Sequence, residues 1–83
     1  MKILGIEYQI VEFENNARND TAMGRGDSKT ATIHLCKDMN EEVKRTTLLH
    51  EIIHQISDKL GLELTEHQVC GLESGLFPFF KEK

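Results

Sequence analysis

The run His50-Glu51-Ile52-Ile53-His54 holds two imidazoles four residues apart, with a carboxylate between them. On a helix, positions four apart lie one turn apart on the same side. His50 and His54 can then offer two ring nitrogens to one ion, and zinc is the ion such pairs commonly hold. At about 100° per residue, Glu51 falls roughly 60° beyond His54, near the ion's open position without needing to bind it. A zinc-bound water is acidified, and a nearby carboxylate can take its proton and pass it to a leaving group. The chemistry expected is metal-assisted hydrolysis, with Zn2+ as cofactor, His50 and His54 as ligands and Glu51 as catalytic base. Shuffling this composition gives the pattern in roughly two chains of a hundred. The bland alternative is a pair of ordinary histidines at the edge of a helix face.

The elements around this run must hold it. Leu49, Ile53, Ile56 and Leu60 recur at helical spacing, with Leu48 and Ile52 on one flank. Asn40 is a natural N-cap, Glu41 and Glu42 suit the first turn, and Gly61 is a natural stop, so a helix is predicted from residue 40 to residue 60. Thr65-Glu66-His67-Gln68 has the form of a capping box and opens a second helix, with Val69, Leu72 and Leu76 facing inward. Pro78 should end it, leaving Phe77, Phe79 and Phe80 to fold back on the core.

Ahead of the helices, Ile6, Tyr8 and Ile10 alternate with Glu7 and Gln9 as in a strand with one buried face. The phase slips to Val11 and Phe13, which implies a bulge or strand end near Val11. Residues 14 to 29 are polar. Gly26-Asp27-Ser28 reads as a turn, and so does Arg25-Gly26-Asp27, although a short strand around 20–25 has room to form. Thr30 to Cys36 is the clearest strand, with Ala31, Ile33 and Leu35 on one face and Thr32, His34 and Cys36 on the other. It reads as an edge strand, one side left free for an extended ligand. His34 and Cys36 are candidate metal ligands in type, but no second pair stands near them in sequence. The order, strands and then a helical hairpin, predicts an α+β fold: one small antiparallel or mixed sheet of two or three strands in a single minimal domain over residues 1–83.

The stretch Thr47-Leu48-Leu49-His50-Glu51-Ile52-Ile53-His54 resembles the metal-binding helix of small bacterial and phage zincins. It is similar to the ImmA/IrrE-like metallopeptidases, which also have a short strand ahead of the helix and an acidic start to the helix after it. The likeness covers roughly residues 30 to 77 and is specific at His50, Glu51 and His54. It implies a zinc-dependent peptidase whose substrate groove borders the strand before the metal helix.

Catalytic zinc usually takes three protein ligands, so a third group should approach. Glu66 stands at the start of the second helix, where the resemblance implies an acidic residue, and it is the preferred candidate. His67 is chemically suitable. Glu73 would come level with the two histidines in a simple antiparallel hairpin. Tyr8, His34 or His67 could assist the reaction.

Composition narrows the classes of function. The chain has 83 residues and a formal net charge of -4. Scattered lysines and arginines argue against nucleic acid as a partner, since phosphate binding needs a clustered basic surface. No apolar run is long enough for a signal peptide or a membrane span. Cys36 and Cys70 stand far apart, as two reduced thiols of a cytoplasmic protein. The partner expected is a peptide or protein substrate, or a protein with which so short a chain assembles. Two rival readings are a zinc-stabilised module that binds a peptide without cutting it, and a metal-free helical hairpin.

Overall fold

The computed structural model describes residues 1–14 and 24–80. Its architecture is α+β, two small sheets followed by a helical hairpin.

The first helix, α1 (Glu41–Leu60), forms where local chemistry requires it. The Asn40 side chain accepts a hydrogen bond from the Val43 N–H at 2.8 Å, satisfying one of the free donors of the first turn. Gly61, at φ 65°, ends the helix in the left-handed conformation that glycine adopts without steric cost. The apolar residues of α1 divide between two cores. Leu48, Ile52 and Ile56 pack against Ile3, Tyr8, Ile33 and Leu35 of the sheet side. Leu49 and Ile53 pack against Val69 of the next helix, with Leu64, Phe77 and Phe80 around them. Leu60 takes part in neither and is exposed.

Among the described residues, five short strands precede α1. Strands β1 (Lys2–Ile3) and β2 (Ile6–Glu7) form a small antiparallel hairpin. Strands β3 (Gln9–Phe13), β4 (Gly24–Asp27) and β5 (Thr32–Cys36) form a mixed sheet in the order β3-β5-β4. The break in the first run falls at Tyr8, not at Val11. The Tyr8 N–H donates to the Met1 carbonyl, and its ring is buried, with the hydroxyl donating to Gln55 Oε1 of α1 at 2.8 Å. Ile6 and Ile10 are left exposed, so the expected buried face shrinks to one residue.

The edge-strand expectation for Thr30 to Cys36 is overturned. β5 pairs in parallel with β3 (Gln9↔Thr32 to Phe13↔Cys36) and antiparallel with β4 (Gly24↔Leu35 to Asp27↔Thr32), so both its sides are used. Pairing at both edges takes the flanks of β5 out of solvent, and Thr32 and Cys36 are buried along with Ile33 and Leu35. Ala31 lies outside the strand, at φ 50°. The turn reading of Arg25-Gly26-Asp27 is overturned too, since these residues belong to β4. Gly24 is there for space. A Cβ on it would lie 2.8 Å from Thr47 Cγ2 and 3.0 Å from the His34 carbonyl oxygen, so glycine lets β4 run close beneath α1. Of the segment expected to hold a strand at 20–25, residues 20–23 lie outside the described residues.

The second helix, α2 (Glu66–Phe80), opens with a reciprocal capping box. The Gln68 N–H donates to Thr65 Oγ1 and the Thr65 N–H donates to Gln68 Oε1. Val69 is buried as expected, but Leu72 and Leu76 are exposed. The inward face is carried instead by Val69, Glu73, Phe77 and Phe80. Leu72 precedes Glu73 by one residue, or about 100° around the axis, so turning Glu73 toward α1 turns Leu72 out. Pro78 does not end the helix, which runs two residues further. Phe77 and Phe80 reach the core, while Phe79 faces solvent. No helix among the described residues is long and apolar enough to cross a membrane.

Candidate metal centre

The two histidines of α1 are half-buried between the helices, with their rings edge to face and the centroids 4.8 Å apart. Their Nε2 atoms lie 3.2 Å from each other. Glu66, the first residue of α2, brings its carboxylate to both. Oε2 stands 3.3 Å from His50 Nε2 and Oε1 stands 2.5 Å from His54 Nε2. Zinc–nitrogen and zinc–oxygen bonds of about 2.0–2.1 Å at tetrahedral angles separate donor atoms by about 3.3 Å. Two of the three separations match that spacing. The third is an ion-pair contact that an ion would widen by less than an ångström.

Glu73 comes level with the histidine turn, as a simple hairpin requires, but it meets the other end of the ring. Its Oε1 lies 2.7 Å from His50 Nδ1. An ionised carboxylate can only accept, so Nδ1 carries a proton and the neutral imidazole keeps its lone pair on Nε2, facing His54 and Glu66. A carboxylate behind a metal-ligating histidine fixes both the tautomer and the ring orientation. His67 is exposed on α2 and stands apart from this group. His34 and Cys36 also belong to no group of ligand atoms among the described residues. The Tyr8 hydroxyl is engaged by Gln55.

Glu51 lines a cleft of about 370 Å³ together with His50, Glu73, Gly24, Glu42, Val43, Thr46 and Thr47. Burial pushes its carboxyl above the usual range. The positive charges of His54 and His50 oppose that shift and the charge of Glu66 adds to it. A carboxylate raised in this way is a better proton acceptor near neutrality than an exposed one. For His50, burial favours the neutral ring. The hydrogen bond to Glu73 and the charges of Glu66, Glu73 and Glu51 outweigh it, and the pKa is raised.

One donor of the centre escaped the sequence reading. Cys70 Sγ, His50 and Glu66 offer ligand atoms that all lie within 4.8 Å of one another. The signal was present in the spacing, because Glu66, Cys70 and Glu73 stand at i, i+4 and i+7 on one face of α2. The arrangement as a whole supplies two nitrogen donors, a carboxylate, a nearby thiol, and a half-buried base beside a cleft. Compared with models of protein families, with curated proteins and with solved structures, the chain matches none.

Proposed function

We propose that this chain is a zinc-dependent hydrolase of the metallopeptidase type, in which His50, His54 and Glu66 hold the ion and Glu51 is the general base. The observation that carries this reading is the convergence of His50 Nε2, His54 Nε2 and the Glu66 carboxylate, with His50 also lining the cleft that Glu51 lines. A zinc ion in that position supplies an acidified water and a Lewis acid for a carbonyl oxygen. Glu51 takes the water's proton and delivers it to the leaving amine. Glu73 keeps the His50 ring turned toward the ion.

The substrate is an extended peptide. β4 is an edge strand among the described residues, and Gly24 at its start lines the cleft. A peptide can add to that free edge by backbone pairing, which brings a scissile bond toward the centre. The same reading places the protein in the cytoplasm, where its thiols stay reduced.

Elemental analysis of the purified protein tests the metal, and turnover of a mixed-sequence peptide library tests the reaction. Wild type should carry one zinc per chain and His50→Ala essentially none. Glu51→Gln should keep its zinc and lose hydrolysis, because an amide cannot take the proton. Zinc lost from Glu51→Gln would make Glu51 a ligand, and full activity in that variant would remove it as the base. A binding module without hydrolysis is the second reading. The thiol near the centre favours it, because a fourth protein donor closes a zinc site.

A further inference from the structure

We propose that Cys70 is an exchangeable fourth ligand, whose thiolate occupies the ion's open position in a resting form of the protein. This rests on the reading of His50, His54 and Glu66 as a zinc site and adds to it a means of holding that site closed.

Cys70 lies one turn after Glu66 and about one turn before Glu73, on the helix face that both carboxylates turn toward His50. Its Sγ therefore stands on the same wall of the centre as two groups already engaged with the histidine. The ligand atoms of His50, Glu66 and Cys70 fall within 4.8 Å of one another. Donors sharing one zinc ion lie about 3.3 to 3.7 Å apart, given bonds of about 2.0–2.1 Å to nitrogen or oxygen and about 2.3 Å to sulfur. The proposal requires the exposed Cys70 side chain to turn inward by that difference. His54 lies outside the group that includes Cys70 but contacts both His50 and Glu66, so the proposed ligand set is two nitrogens, one oxygen and, once the thiol turns in, one sulfur.

The consequence follows from coordination number. Zinc with four protein donors is saturated and structural in kind, whereas zinc with three keeps a position for water. A thiolate is the softest donor available and displaces water from zinc readily. With Cys70 bound, Glu51 has no water to deprotonate. Exchange needs no oxidant: the sulfur–metal bond breaks, one water takes the position, and the thiolate takes a proton from solvent. Cys36, the other cysteine, is buried in β5 and belongs to no such group among the described residues. Cys70 is exposed on α2, so replacing it leaves both cores intact.

The test uses the full chain with cobalt(II) in place of zinc, in wild type and in Cys70→Ser. A thiolate on cobalt gives an intense near-ultraviolet charge-transfer band, while the visible bands report tetrahedral geometry whatever the donors. Wild type should show both signals. Cys70→Ser should lose the charge-transfer band, keep tetrahedral visible bands and hydrolyse the peptide library at least tenfold faster with zinc. In wild type, zinc should slow modification of Cys70 by a disulfide reagent more than tenfold. Tetrahedral cobalt without a charge-transfer band in wild type overturns the proposal and leaves the three-ligand site standing. A band that persists in Cys70→Ser overturns it by assigning the sulfur elsewhere. An equal hydrolysis rate in the two proteins removes the resting-state role. Absence of any cobalt or zinc binding overturns the metal centre itself.

Discussion

His50 is held at both ends of its ring by acidic residues of one helix, and their roles differ because the ring nitrogens differ. Glu66 faces the Nε2 atoms of both histidines, while Glu73 accepts from His50 Nδ1. Under the proposed function, removing Glu66 takes away a metal ligand, whereas removing Glu73 only loosens the tautomer and orientation of one. A matched series of Glu66→Ala, Glu73→Ala and His67→Ala, titrated with zinc against a chromogenic chelator, should rank in that order. Glu73→Ala should lose about 10–100-fold in affinity, as is usual when a supporting partner of a ligand is removed. Glu66→Ala should lose more, and His67→Ala should match wild type. Undiminished affinity in Glu66→Ala would remove it from the ligand set, and a large loss in His67→Ala would reassign the third position. The pair His50 and His54 was legible from spacing alone, because a helix fixes the relation of i to i+4. The division of labour between Glu66 and Glu73 was not, since it depends on the rotation of α2 about its own axis. Local sequence says little about that rotation when apolar residues lie on several faces.

At the scale of elements, what was legible divides by range. Both ends of α1 and the start of α2 are governed by hydrogen bonds spanning three or four residues, namely Asn40 to Val43, Gly61 to Ser57 and Asp58, and Thr65 with Gln68. Such signals are complete within a short window. The partners of β5 lie more than 20 residues back at 9–13 and about eight residues back at 24–27, and nothing within Thr32–Cys36 names them. Its alternation was compatible with an edge, and only the parallel pairing to β3 makes it central. The glycines of β4 misled for a related reason. Composition marks Gly24 and Gly26 as turn formers, but the close approach of a helix is what requires a glycine at Gly24. That account makes a prediction. Gly24→Ala should destabilise the metal-free protein by about 1–3 kcal/mol, the usual cost of forcing an extra methyl into packed structure, because the His34 carbonyl oxygen cannot move without disturbing β5. Gly75→Ala is the counterpart, since a Cβ there meets nothing within 4 Å and lies in a helix interior. It should be neutral or stabilising by up to about 1 kcal/mol. Urea unfolding midpoints with a chelator present measure both, and equal midpoints for the two variants would mean that β4 has room to spare.

The described residues form two small clusters of buried apolar side chains, with several ionisable groups gathered where the helices meet. So small a core leaves stability sensitive to anything that binds only the folded chain, and a zinc ion at about 100 times its Kd would add about 2.7 kcal/mol. The protons at the centre give this coupling a sign. In the metal-free protein, burial raises the Glu51 carboxyl, and the acidic neighbours of His50 raise its imidazole despite burial. A group whose pKa is higher folded than unfolded holds more protons when folded, so its stabilisation is present below the unfolded pKa and lost as pH rises through the folded one. The window opens near the ordinary carboxylate value of about 4.3 for Glu51 and near about 6.5 for His50, and extends above each. Metal-free protein should therefore melt lower as pH is raised from about 5 to about 8. Zinc demands the opposite protonation, because it binds neutral imidazoles and an ionised carboxylate, and protons compete with it at low pH. With excess zinc the stabilisation should grow over the same range. Melting temperatures recorded across that range, once with chelator and once with zinc, should diverge as pH rises. Two parallel curves would show that the ionisable groups between α1 and α2 are not where the metal binds, even if the protein contains zinc.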